Sequence, residues 1–126
     1  SSKDLGKAFD DAVRTGVGAF ISTSGIIPTF GQKWIKGLSV KSRLPAIFTN
    51  ASSVKAGGLM SYNRATEDLY RRAATYVDKI LKGAKPADLP VERATKFDLI
   101  INLKTAKQLG ATIPPSLLLQ ATKVIK

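Results

Sequence analysis

The sequence predicts an α/β fold, a three-layer sandwich around a mostly parallel sheet. Three observations predict it. Segments with helical spacing alternate with short apolar runs along the 126 residues. Glycines at 16, 83 and 110 stand where those helical segments should stop. The composition, 44% hydrophobic and 23% charged, is that of an ordinary globular chain with enough length for one core.

Residues 3–15 place Leu5, Ala8, Phe9, Ala12 and Val13 on one helical face. Ser2 suits the cap, Asp4 the first turn and Gly16 the stop. Val17 to Ile21 reads as a buried strand, closed by the polar turn Ser22-Thr23-Ser24-Gly25. Pro28 keeps the following stretch out of a ladder. Residues 31–42 read as a weaker helix around Trp34, Ile35 and Leu38, with Trp34 in the core and Gly37 costing about 1 kcal/mol. Ala46 to Thr49 is a second strand, and Asn50 suits the cap of a helical turn over 50–56. After the break at Gly57-Gly58, Leu59 to Tyr62 is a third strand.

The clearest helix covers 66–82. Thr66 reads as its cap, Glu67 and Asp68 sit at the positive end of the dipole, and Lys79 and Lys82 sit at the negative end. Leu69, Ala73, Val77, Ile80 and Leu81 form its apolar stripe. A two-proline loop over 85–90 leads to a strand at Phe97 to Ile101, and Asn102 suits the cap of a helix ending at Gly110. Pro114-Pro115 opens a last helix, predicted to run through Val124.

Chemistry is bounded by what the chain lacks. It has no cysteine and no histidine, which removes thiolate sites, disulfides, the commonest general base and the commonest metal ligand. The glycines at 16, 18 and 25 have neither the dinucleotide spacing nor a phosphate-loop lysine. The acidic pairs Asp10-Asp11 and Glu67-Asp68 read as helix-dipole complements rather than a catalytic pair. The expectation is a protein that is not an enzyme and uses no cofactor or metal. No apolar run reaches the roughly 20 residues that span a bilayer. No basic start followed by an apolar stretch marks an export signal; the chain opens at Ser1-Ser2 and passes into a helix, as a processed chain or an excised piece would.

Ligands in open α/β sheets sit beyond the carboxyl ends of the strands. That rule selects Ser22, Thr23 and Ser24, then Thr49 and Asn50, then Ser61, Tyr62 and Asn63. All are hydrogen-bonding residues. They suit a small polar ligand, and equally they suit helix caps and turns. Tyr62 fits either a stacking face for a ligand or a half-buried core position. The net charge of +11 supports a second reading, a basic nucleic-acid-binding α/β module. The basic residues are dispersed, however, and Arg71-Arg72 is the only adjacent pair.

Several motifs carry a family resemblance. LPAIFTN at 44–50, VKAGGLMSYN at 54–63, ILKGAKPADLPVE at 80–92 and KFDLIINLKTAKQLG at 96–110 resemble the ABC-transporter solute-binding proteins with the type I periplasmic-binding fold, a group that includes tryptophan and tyrosine carriers. The resemblance covers roughly residues 3 to 126.

It implies a Rossmann-like lobe, the carboxyl-terminal one of two that close on a ligand by a hinge. It implies a solute-binding component of an ABC uptake transporter, taking a small polar solute such as an amino acid, working with a membrane permease and expecting no nucleic acid. It implies a periplasmic or membrane-anchored extracellular location. By this resemblance the cleft residues are Ser24, Thr49, Asn50, Ser61 and Tyr62, and Pro45 to Asn50 and Leu89 to Thr95 flank crossings between lobes. Residues 1–126 are then one lobe without its amino-terminal mate. Residues 64–90 are left to pack on that absent lobe or on a second copy in a homodimer.

Overall fold

The computed structural model describes residues 2–23 and 37–126, with side chains from residue 6 onward. In chain order the elements are α1 (Ser2–Arg14), β1 (Phe20–Ser22), α2 (described over 37–42), β2 (Ala46–Phe48), α3 (Ala51–Lys55) and β3 (Met60–Arg64). Then come α4 (Thr66–Leu81), a 3-10 turn (Pro86–Asp88), β4 (Phe97–Asn102), α5 (Leu103–Leu109), α6 (Pro115–Gln120) and β5 (Lys123–Ile125). The predicted alternation of helices and strands is present. Trp34, Ile35 and Ser24 lie outside the described residues.

One backbone device ends four of the helices. After α1, the Gly16 N–H donates to Val13 O and the Val17 N–H reaches back to Ala12 O at 3.0 Å. The same pair of bonds recurs at Gly57-Gly58, Gly83-Ala84 and Gly110-Ala111. In each case the first glycine has a positive φ, between 69° and 103°. This closure satisfies carbonyls that the helix end would otherwise leave unpaired, and it needs a left-handed residue that glycine supplies without strain. It also explains why β1 starts late: Val17 closes α1 instead of opening the strand.

The strands form one five-stranded sheet in the order β1-β2-β3-β4-β5. The β1–β2, β2–β3 and β4–β5 pairs are parallel. Between β3 and β4 the backbone bonds run the other way. The Asn102 N–H donates to Leu59 O at 2.8 Å, and the Ala65 N–H donates to Lys96 O at 3.0 Å. Partner numbers that rise on one strand and fall on the other define an antiparallel pair.

The chain divides into two units, 1–63 with 99–126, and 64–98. In the first, Phe9, Leu44, Ala46 and Phe48 form one cluster, joined by Phe20 and Leu38. Phe9 and Phe20 meet edge-on at 4.9 Å between centroids, and Phe20 meets Phe48 edge-on at 6.2 Å, the arrangement favoured by the ring quadrupoles. A second cluster joins Leu59, Ala106 and Leu109 with Val40 and Met60. Gly58 has a steric role here, since a Cβ on it would stand 2.6 Å from the Phe48 ring. Asn102 caps α5 as expected, accepting from the Thr105 N–H at 3.2 Å, and its amide donates to Val54 O.

Two further sequence expectations fail here. The last helix does not reach Val124; it ends at Gln120, and Lys123 to Ile125 make a parallel strand beside Ile100 to Asn102. The β-branched Val124 and Ile125 gain more from that ladder than from another helical turn. Thr66 is not the cap of α4. It is the first helical residue, and Ala65 stands at the cap with no side-chain bond. Glu67 and Asp68 in the first turn supply the favourable charge instead.

In the second unit, the segment after the 3-10 turn folds back along α4. Leu69, Ala73, Tyr76 and Ile80 face Pro86, Leu89, Pro90 and Val91 across a groove of about 380 Å³. Tyr76 donates its hydroxyl to Pro90 O. Partial burial, followed by the nearby Glu92 carboxylate, pushes that phenol upward in pKa. Arg72 bridges Asp68 at 3.0 Å and Glu92 at 2.6 Å, and Lys96 reaches Asp68 at 2.9 Å.

Lys96, with Arg72 beside it, holds the Asp68 carboxyl below the ordinary aspartate value of 3.8. A carboxyl lowered in the folded state contributes stability above its ordinary value and loses it as pH falls through the lowered one. Asp68→Asn is therefore expected to flatten the acid-unfolding curve below pH 3.8, read by circular dichroism of the helical signal. A curve identical to the parent would remove this network from the acid response.

Candidate functional site

Parallel strands β1, β2 and β3 end on the same edge of the sheet, and the candidate site is built there. β2 runs into Thr49 and Asn50, both half-buried. β3 runs through Ser61, Tyr62 and Asn63. The Asn63 amide donates to Thr49 O, tying the ends of the two strands together. Thr49, Asn50, Tyr62 and Asn63 are thus neighbours on one edge, as the carboxyl-end rule requires.

The residues are not equivalent. Asn50 has extended backbone before α3, and its Oδ1 accepts from the Ser53 N–H, the Ser53 hydroxyl and the Ser52 hydroxyl at 2.7 to 2.8 Å. That oxygen is saturated by capping, so the amide nitrogen is what Asn50 offers a ligand. Ser61 is only 2% exposed and pairs in register with Phe48 inside the ladder. β3 continues to Arg64, two residues beyond the strand end expected from the sequence, so Ser61 sits one row inside the edge. Tyr62 points the other way and is 53% exposed. Ser24 falls outside the described residues, so the structure brings together Thr49, Asn50 and Tyr62. Asn63 is the further residue of this edge. Its position after an apolar strand was the signal for it.

The edge carries hydroxyls, an amide and one aromatic face. This set can hold a small solute by hydrogen bonds and stacking. Among the described residues no cluster of three or more acidic, histidine or cysteine side chains is arranged to hold a metal. No described helix is long and apolar enough to cross a membrane.

The family model described as ABC transporter substrate binding protein matches residues 1–125. The chain belongs to this family. Its members are substrate-binding rather than catalytic proteins; they bind small solutes, interact with a membrane permease and are typically extracytoplasmic. No curated protein matches the chain.

Three solved structures are similar to this family member. A conserved domain protein from Vibrio cholerae is 26% identical with a TM-score of 0.80, over 98% of this chain and 42% of its own. An ABC domain from Streptococcus pneumonia in complex with L-Trp is 30% identical with a TM-score of 0.79, over 99% of this chain and 43% of its own. A substrate binding protein with adhesive properties from Clostridium difficile, in a ligand-free open form, shares the fold at 19% identity and a TM-score of 0.77, over 100% of this chain and 41% of its own. The chain therefore spans about two-fifths of the length of these structures.

Proposed function

We propose that this chain is the carboxyl-terminal lobe of an ABC-transporter solute-binding protein, and that the edge formed by Thr49, Asn50 and Tyr62 is its half of the solute cleft. The observation that carries the reading is the Asn63–Thr49 tie, which gathers the hydrogen-bonding residues at the ends of two parallel strands. Ser24 completes the set by sequence position, and Ser61 supports the row beneath. An amino acid is the first solute to test, because the pneumococcal structure holds L-Trp and Tyr62 offers a ring face. The location is periplasmic or extracellular, beside the permease that receives the solute.

The matched structures run to more than twice this length, and the second unit has a surface that suits further chain. No residue of α4 is buried. Tyr70, Val77 and Leu81, which share one helical face, are 72%, 55% and 82% exposed. An amino-terminal lobe is the proposed cover for that stripe.

The experiment is a thermal-shift screen of amino acids on this chain and on a form extended to the length of its structural relatives. The extended form should respond to at least one amino acid, and this chain only weakly. Tyr62→Ala in the extended form should weaken binding about tenfold, or about 1.4 kcal/mol. Equal shifts in both forms would show that a second lobe is irrelevant. No response to Tyr62→Ala would move the cleft elsewhere. Light scattering that shows a stable dimer of this chain would replace the amino-terminal lobe by a second copy as the cover of α4.

A further inference from the structure

The charge of this protein is divided unevenly between its two units. Residues 64–98 mix eight Lys and Arg with six Asp and Glu. Their pairs include Asp68 with Lys96 and Arg72, Arg72 with Glu92, and Asp78 with Lys82. The first unit differs. Residues 12–63 and 99–126 contain ten Lys and Arg and no acidic residue at all. Its three carboxylates, Asp4, Asp10 and Asp11, all lie on α1. Among the described residues its ion pairing reduces to Arg14 with Asp11.

Part of this surplus shares one layer. Val40 of α2 packs with Ala106 and Leu109 of α5 on the cluster around Leu59 and Met60, so the two helices cover the same face of the sheet. Lys41, Lys104 and Lys107 are the exposed neighbours of those packed residues. Lys123 is exposed on β5, at the sheet edge beside α5. No acid stands in either helix or in that strand.

We infer that the α2–α5 face is a docking surface for anionic phospholipid, holding the protein against the bilayer that surrounds its permease. The inference rests on family membership and not on the identity of the solute or the position of the cleft. Unopposed cations spread over a helical layer suit a carpet of headgroups, where each one gains from the surface potential independently. Single-stranded nucleic acid would favour a groove with stacking aromatics, and α2 and α5 carry no aromatic residue over 37–42 and 103–109.

The test is co-sedimentation of the chain with vesicles of about one-third phosphatidylglycerol in phosphatidylcholine, against pure phosphatidylcholine. At about 0.05 M salt the chain should pellet with the anionic vesicles only. It should be released as salt rises to about 0.5 M, where screening shortens to a few ångströms. Lys104→Glu with Lys107→Glu should lower the partition more than about tenfold. Lys79→Glu with Lys85→Glu, in the charge-mixed second unit, should lower it less than about threefold. Equal losses from the two pairs would reduce the effect to net charge and overturn the assigned face. Equal binding to both vesicle types, or no binding at low salt, would overturn the lipid partner. Tighter binding to DNA than to anionic vesicles would replace lipid by nucleic acid. No solute enters this assay, so a failure here leaves the transport reading unaffected.

Discussion

Phe48→Ala is expected to destabilise the first unit by about 3–5 kcal/mol. The ring is 4% exposed. It closes the aromatic series that begins with Phe9 and Phe20, and Gly58 leaves the space it fills. Truncation removes transfer energy and leaves a cavity beside Gly58. A domain whose whole stability is about 5–15 kcal/mol would lose a large part of it. Urea unfolding followed by circular dichroism measures the loss. A midpoint unchanged from the parent would show that the ring does not belong to the core. Phe48→Leu, which keeps most of the volume, should cost clearly less.

Asn102→Ala is expected to cost about 2 kcal/mol, by two routes. The first is the cap: the Thr105 N–H loses its acceptor, worth about 1 kcal/mol. The second is the buried bond from the amide to Val54 O, which ties the strand preceding α5 to α3. Val54 O keeps the Gly57 N–H, so it is weakened rather than orphaned, and the second route also contributes about 1 kcal/mol. Asn102→Ser separates the routes. A serine hydroxyl restores the cap but is too short to replace the amide, so about half the stability should return. Full recovery would mean that the bond to Val54 adds nothing.

The local parts of this fold were legible because a single residue type can settle a helix end. Gly16, Gly83 and Gly110 are where the chain must turn left-handed, and all three do. Asn50 and Asn102 are where a cap was expected, and both accept the bond. Where the answer lay in pairing with a distant segment, local reading failed. Lys123 to Ile125 is too short to show a strand period and becomes one only beside β4. The reversed direction of β4 has no local signature, since Phe97 to Ile101 would look the same in either sense. Thr66 suits a cap by type, but Ala65, whose N–H is held by Lys96 O, takes the cap position, and the helix begins one residue earlier than a threonine cap would have it.

The candidate site follows the same division. That Thr49, Asn50 and Tyr62 stand together at the strand ends is legible because a polar residue after an apolar strand is visible in sequence. The inward row taken by Ser61 was not, because the length of β3 is set by neighbours. The saturation of the Asn50 oxygen depends on Ser52 and Ser53 turning back toward it, and a helical turn beginning at Asn50 is compatible with that arrangement without requiring it.

The reversal between β3 and β4 has one more consequence. Residues 64–98 leave and return beside one another, with Ala65 and Lys96 3.0 Å apart through a backbone bond. An excursion whose two ends are already held together can be lengthened, shortened or exchanged at a small loop-closure penalty, without changing the pairing of the strands that precede and follow it.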